Sequence, residues 1–273
     1  MTLRSFIDDV GSVSRTIAVV GDDATSPLEE LLAETFANQS VAIESSAEHP
    51  FDSDIDPEIA DALERDGDTA VLLEEGAPVA ASPMSELYDS LLAINSDLFV
   101  TGARGVGDID LPAVLAALDE TRLRLQGYPR SHKEKLLLIL ISRYIEQHAW
   151  VAGSGTLRSG FQQLERIDDE IGTRDVYAEL AATDVDVHVY GLESDAAVAV
   201  DLDVTRHTGT GAEYRDGWFV VYEPDEAAAL ETDRAPDSVA LVCLEIEPGL
   251  WDGFWTYDPD RVAAIGAYVG REL

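Results

Sequence analysis

The chain has 273 residues, 46% of them apolar, and carries 54 acidic side chains against 18 basic ones, for a formal net charge of −36. Its length suffices for one large domain or two small ones with a genuine core, and clear hydrophobic periodicity argues against disorder despite the charge. The charge excludes nucleic acid and anionic membrane surfaces as expected partners, because both are recognised by clustered cations.

"MTLRSFIDDV" has acids by residue 8 and no apolar stretch of signal-peptide length, so no secretory signal is read there. "RTIAVVGDD" (15–23) predicts a strand ending in a Gly-Asp turn. "SPLEELLAETFAN" (26–38) predicts a helix, with Ser26 as N-cap, Pro27 at the first helical position and Glu29 completing a capping box. "QSVAIES" reads as a second strand, and the acidic, proline-broken residues 45–68 as a surface segment with one short helix. "TAVLLEEGAPVAAS" (69–82) predicts two strands around a Glu-Gly turn. "SPMSELYDSLLAIN" (82–95) repeats the Ser-Pro helix start. "DLFVTG" then reads as a strand, "LPAVLAALDET" as a helix and "RLRLQGY" (122–128) as extended chain. The alternation predicts α/β layers.

"SHKEKLLLILISRYIEQHAWVAG" (131–153) predicts a long helix opened by a Ser131–Glu134 capping box and apolar nearly all round over Leu136–Ile141, hence central. That aliphatic run is far shorter than the ~20 residues that span a bilayer. "GTLRSGFQQLERIDDEIG" (155–172) places Leu157, Phe161, Leu164 and Ile171 at helical spacing, with Gly172 as the stop, and "TRDVYAELAAT" predicts a third helix. The rest is β-rich: "VDVHVYG" (185–191), "AVAVDLDV", "GWFVVYE", "SVALVCLEIE" and "GLWDGFWTYD" read as strands, with a charged insertion over 224–237. Asp258 caps a last helix with Pro259 at its first position, ending near Val269 before Gly270. The expected fold class is α/β or α+β: a layered N-terminal α/β region over 1–127, then helices on a largely antiparallel sheet over 128–273.

Several chemistries are excluded outright. Neither lysine, Lys133 or Lys135, follows a glycine, so no P-loop is present, and H-E-x-x-H and G-x-S-x-G are absent. "GARGVG" (102–107) lacks the dinucleotide spacing and reads as a turn. No two of His49, His132, His148, His188 and His207 have metal-ligand spacing, so each reads as structural. A single cysteine, Cys243, permits neither an internal disulfide nor a cysteine-based zinc site, and with no base beside it the thiol reads as buried and inert. No metal, cofactor or catalytic residue is identified.

Four stretches stand out as sites. "GSGTLRS" (153–159) reads as a glycine loop opening a helix, with Arg158 in its first turn; it is either a helix–helix turn or an anion site. Arg122, Arg124, Arg130, Lys133, Lys135 and Arg143 are a third of all positive charges, and they meet either internal carboxylates or an anionic ligand or acidic partner. His188 shares a strand face with Asp186 and Tyr190, opposite Val185, Val187 and Val189. In "WDGFWTYDP" (251–259), Trp251, Gly253, Trp255 and Tyr257 share one face and Phe254 takes the other. These rings either pack against the long helices as core or, with Gly253 leaving a gap, wall a slot for a flat ligand.

The acidity reads as a surface built for high salt, in the cytoplasm of an extreme halophile. Dropping salt from molar to about 0.1 M lengthens the screening distance from ~3 to ~10 Å. Marked loss of thermal stability from self-repulsion is the expected result; a melting temperature unchanged over that range contradicts the reading.

In order along the chain, "SHKEKLLLILISRYIEQHAW", "GTLRSGFQQLERIDDEIGTRDVYAELA", "VHVYG", "GWFVVYE" and "LEIEPGLWDGFWTYDP" resemble the DICT sensory domain family, named for its occurrence in diguanylate cyclases and two-component systems. The family's features fall on Phe161–Gln162, Val187–Gly191, Trp218 and Trp255–Thr256. The resemblance covers residues 128–273, and the whole chain is similar to a stand-alone form found in halophilic archaea. It implies signal sensing and brings no catalytic residues. These residues include no cyclase, kinase or receiver module, so output has to pass through binding something else.

The expected function is therefore a cytoplasmic sensory protein of signal transduction that binds a ligand or partner without catalysis of its own. Its partners are a signalling protein, a small-molecule ligand or a second copy of the chain as a homodimer. Candidate ligand-binding residues are Arg158, Phe161, Gln162, Arg166, His188, Tyr190, Trp218, Trp251 and Trp255. Two alternatives stand beside it: a small-molecule enzyme holding an anionic substrate near Arg158, Arg166 and Lys133, and a constitutive protein-interaction module.

Overall fold

Two separate sheets, joined by helices that touch both, organise the chain. The computed structural model describes residues 1–11, 13–21, 32–33, 41–46, 55–95, 111–126, 133–169, 171–193, 201–225 and 238–273. The expected helix over 26–38 (except its residues 32–33), the strand "DLFVTG", the "GARGVG" turn, the Ser131 cap and most of the charged insertion lie outside the described residues.

The first helix, α1 (Leu3–Asp8), is closed by a capping box between Thr2 and Ser5. Strands β1 (Arg15–Val20), β2 (Val41–Ser46), β3 (Thr69–Glu74) and β4 (Ala77–Pro83) form the smaller sheet in the order β2-β1-β3-β4. β1 and β2 run parallel, and the other pairs are antiparallel. The expected hairpin is present: Glu75 and Gly76 take φ of 51° and 86°, both in the left-handed region that a two-residue hairpin turn demands. The short helix expected before it is α2 (Pro57–Leu63), capped by Asp56. α3 (Met84–Asn95) follows β4 directly. Ser82 does not serve as its cap; its buried hydroxyl accepts from the Val114 N–H at 3.1 Å, tying β4 to α4 (Ala113–Ala116), a single turn where a longer helix was expected.

β5 (Leu123–Gln126) opens the larger sheet, and α5 (Lys133–Ala152) is the expected central helix. The chain then departs from the sequence reading. Residues Ser154–Gly160 form strand β6, not a helix. Gly153 stops α5 at φ 68°, with its N–H on the Ala149 carbonyl, and two of the next seven residues are glycines that disfavour a new helix. The decisive pattern is period two: Leu157 and Ser159 turn inward while Arg158 points away. Neither alternative read at "GSGTLRS", a helix–helix turn or an anion-binding helix start, is present, because the stretch joins a helix to a strand.

α6 (Glu165–Asp169) and α7 (Ile171–Leu180) cross over to β7 (Asp184–Leu192), and Gly172 lies inside α7 instead of ending the helix before it. The next strand is β8 (Thr205–Gly209), not "AVAVDLDV", whose described part, residues 201–204, is turn and coil. α8 (Ala212–Asp216), β9 (Gly217–Glu223), β10 (Val239–Glu247) and β11 (Leu250–Thr256) follow. α9 (Pro259–Glu272) is capped by Asp258 as expected but continues through Gly270.

The larger sheet has the order β5-β11-β10-β9-β6-β7-β8. It is antiparallel from β5 to β6 and parallel from β6 to β8. Its inner face packs Leu157, Val187, Val220, Leu241, Trp251 and Trp255 against α5, in one core with residues of the smaller sheet. Its outer face packs Phe219, Val221, Val242 and Phe254 against α1 and α9. Coverage on both faces explains why Val239–Leu244 is buried at every position. β5 belongs to this sheet and α1 packs on it, both before residue 128, so the 127/128 boundary does not separate the two sheets. Among the described residues no helix is long and apolar enough to cross a membrane.

Candidate functional site

Ile139, Ser142, Arg143 and Glu146 recur at the spacing of one helix face, and that face of α5 looks at the end of β6. Between them lies a partly open cavity of about 90 Å³. Ser159 and Gly160 at the end of β6, with Phe161 and Gln162 beyond it, form its floor. Arg166 of α6, Thr173 and Tyr177 of α7, and Trp218 and Val220 of β9 complete the wall.

Most polar groups here hold one another. Arg143 donates to Glu146 Oε2 and to Thr173 Oγ1, each at 2.6 Å, and the Tyr177 hydroxyl donates to Glu146 Oε1 at 3.0 Å. Burial, then the charge of Glu146, pushes the Tyr177 phenol well above its ordinary pKa. The Trp218 indole donates to Ser142 Oγ at 3.0 Å and stands edge-on to Trp251, with ring centroids 5.5 Å apart. Phe161 meets Tyr177 edge-on at 5.2 Å. Gln162 is a non-glycine residue in the left-handed region, φ 61°, a conformation that costs on the order of 1 kcal/mol or more. It is held there by the Leu192 N–H on its carbonyl at 2.8 Å and by its own amide donating to Glu245 at 3.1 Å.

Two polar groups are left over. Ser159 Oγ is buried and, although close enough to the Tyr177 phenol to influence its ionisation, meets no hydrogen-bond geometry with any partner. The Arg166 guanidinium has no ion pair or hydrogen bond among the described residues.

The sheet divides the candidate residues. Phe161, Gln162, Arg166 and Trp218 meet in the cavity on the inner side. Arg158, His188 and Tyr190 lie on the outer side. Arg158 pairs with Glu223 at 2.7 Å, under α9, where a Cβ at Gly266 would stand 2.1 Å from Glu223 Oε2. Burial raises the Glu223 carboxyl and Arg158 only partly offsets it. His188 Nδ1 lies 2.9 Å from His207 Nε2, its other nitrogen lies 2.9 Å from Asp186, and Tyr190 stacks on His207 at 4.4 Å. Burial, then the charges of His188 and Arg158, push His207 below its ordinary pKa. No group of three or more His, Cys, Asp or Glu among the described residues is arranged to hold a metal. Arg158 and Arg166 lie on opposite sides of the sheet, so these two do not converge as the anionic-substrate alternative placed them.

Trp251 and Trp255 are core, exposed by only 2% and 1%. The gap expected at Gly253 is only a cavity of about 10 Å³, too small for a flat ligand, and a Cβ at Gly253 would lie 2.3 Å from Cys243 Sγ. No slot for a flat ligand opens between the indoles, and Trp251 reaches the cavity only by backing Trp218. Burial, then the charge of Asp252, pushes the Cys243 thiol well above its ordinary pKa.

Two members of the basic stretch meet internal carboxylates: Arg143 meets Glu146, and Arg122 meets Asp252 and Asp8. Arg130 and the side chains of Lys133 and Lys135 lie outside the described residues. Sequence reasoning missed Ser142, Glu146, Ser159, Thr173 and Tyr177 as cavity residues. The available signal was the polar group Ser142, Arg143 and Glu146 on one side of an otherwise apolar helix, matched by Thr173 and Tyr177 four residues apart.

No protein-family model matches the chain, and no curated protein and no solved structure matches it significantly.

Proposed function

We propose that this protein is a cytoplasmic sensory protein of signal transduction, which binds a small ligand in the α5–β6–β9 cavity and passes its occupancy to a partner. The observation that carries this reading is the partly open cavity with two uncommitted polar groups, Arg166 and Ser159, beside an aromatic wall. Small-molecule sites are concave, mostly apolar and furnished with a few placed polar groups. The strained Gln162 at its floor also suits a working site better than plain packing.

Transmission has a physical route. α5 lines the cavity with one side and touches α3 of the smaller layer and the core of both sheets with the other. A ligand that shifts α5 therefore reaches surfaces far from the cavity, provided it favours one of two arrangements of that helix. Binding is favoured over proton transfer because Glu146 has both oxygens engaged by Arg143 and Tyr177, and the raised pKa of the Tyr177 phenol holds it protonated. The DICT resemblance and the lack of any complete catalytic motif point the same way. The partner is a signalling protein or a second copy of the chain; the net charge of −36 disfavours nucleic acid and anionic membranes. That acidity is read as adaptation to a halophile's cytoplasm.

The test is intrinsic tryptophan emission in molar salt during titration with a panel of metabolites and nucleotides. A saturable change, lost in a folded Trp218→Phe variant and accompanied by ligand-dependent partner capture, is expected. Silence across the panel, with capture indifferent to every compound, overturns ligand sensing and favours a constitutive interaction module.

A further inference from the structure

Resting on the reading of this cavity as a ligand site, we infer that its ligand is a short-chain monocarboxylate, with the carboxylate on Arg166 and Ser159 and the body against Phe161 and Trp218.

The charge census inside the cavity sets the sign. Arg143 is neutralised by Glu146 at 2.6 Å, and among the described residues no acid meets Arg166, which leaves one positive charge unbalanced in the cavity. The chain has 54 carboxylate side chains for 18 bases, so a shortage of acids does not explain an arginine with no acid partner among the described residues. The position suits an anion from outside the chain.

The chemistry of the donors sets the class. A guanidinium offers parallel N–H groups that match the two oxygens of a carboxylate. Ser159 is 1% exposed with an unsatisfied hydroxyl, and leaving such a group unmet is costly. A ligand oxygen that accepts from it removes that penalty. One net positive charge balances one negative charge; a phosphate dianion would need a second uncommitted cation, and Arg143 is already paired.

The volume sets the size. Benzene occupies an engineered cavity of about 150 Å³. The present cavity, about 90 Å³, scales to about four heavy atoms within it, with its open side admitting a little more. Ile139, Phe161, Trp218 and Val220 make the remaining wall apolar or aromatic, which suits a short hydrocarbon body and rejects a polyhydroxylated one.

The experiment is calorimetric titration of the full chain in constant molar potassium chloride with propionate, its neutral isostere propionamide, and inorganic phosphate. Propionate is expected to bind at least tenfold more tightly than the other two. Arg166→Gln is expected to lower propionate affinity at least tenfold at unchanged melting temperature, Arg166→Lys to recover part of it, and Ser159→Ala to lower it several-fold. Equal binding of propionamide, or preference for phosphate, overturns the carboxylate class while leaving the cavity a ligand site. Failure of all three probes where the wider panel still quenches Trp218 has the same meaning. Failure of all three with the panel silent removes the ligand reading itself.

Discussion

Replacing Asp252 by alanine is expected to destabilise the protein by about 3 kcal/mol, near the lower end of the range for removing one partner of a buried ion pair. Asp252 is 1% exposed on β11 and takes two hydrogen bonds from Arg122, at 2.9 and 2.7 Å, and one from Arg4 at 2.6 Å. The magnitude sits low in that range because both arginines stay about one-third exposed, at 31% and 37%, and keep some hydration after the carboxylate is gone. The loss also releases α1, since Arg4 belongs to it. Burial by itself raises the Asp252 carboxyl, but the hydrogen bonds and charges of Arg122 and Arg4 prevail and hold it below the ordinary carboxylate value. A carboxylate depressed in the folded state contributes fully above its unfolded value, about 3.9, and that contribution is lost as pH falls through the folded value. Denaturant titrations at fixed molar salt should therefore show wild-type stability falling on acidification below about pH 4, with Asp252→Asn lacking that component. An Asp252→Ala protein as stable as wild type would show that the arginines are held by something else.

Gly253→Ala should be nearly as damaging as the loss of Asp252, at about 3 kcal/mol, the upper end for overpacking a filled core. The added methyl would lie 2.3 Å from Cys243 Sγ, 2.4 Å from the Val242 carbonyl oxygen and 2.7 Å from Cys243 Cα. Two of these three neighbours are backbone atoms of β10, whose register with β11 pairs Cys243 directly with Gly253. A side chain could swing away; a hydrogen-bonded strand cannot. Cys243→Ala should therefore fail to rescue Gly253→Ala in chemical denaturation. Restoration by Cys243→Ala would place the tight contact at the sulfur and leave the strands free to adjust.

How much of this was legible beforehand depended on whether the signal was local. The hairpin at Glu75–Gly76, the helix over 133–152, the Asp258-Pro259 helix start and the strands around Val187, Val220 and Val242 are written in turn chemistry, caps and alternation. The stretch 154–160 was not, because Leu157, Phe161 and Leu164 fit a helical period by coincidence of a strand followed by a turn. Only the sheet's need for a strand between β9 and β7 decides it. Glycine misled twice: Gly172 and Gly270 sit inside helices, and Gly270 faces the Arg158 guanidinium, where a side chain would crowd it. The cavity was half legible. Phe161, Gln162, Arg166 and Trp218, which the sequence points to, converge in it, while Arg158, His188 and Tyr190 fall on the far side of the sheet. Which face a residue takes follows from strand register, and β6 had been read as a helix.

The docking of α1 has a consequence for how the chain is made. Leu3, Phe6, Ile7 and Val10 bury themselves in one cluster with residues of β9, β10, β11 and α9, among them Phe219, Val242, Phe254 and Val262, all more than 200 positions later. Likewise Leu123 has no strand to pair with until Gly253 is in place. A ribosome releases the early segments first, and contacts of such span form late and slowly. Among these elements α1 is thus made early and seated late. Until β10, β11 and α9 have been made, the greater part of its seat is missing and its four apolar side chains stay open to water.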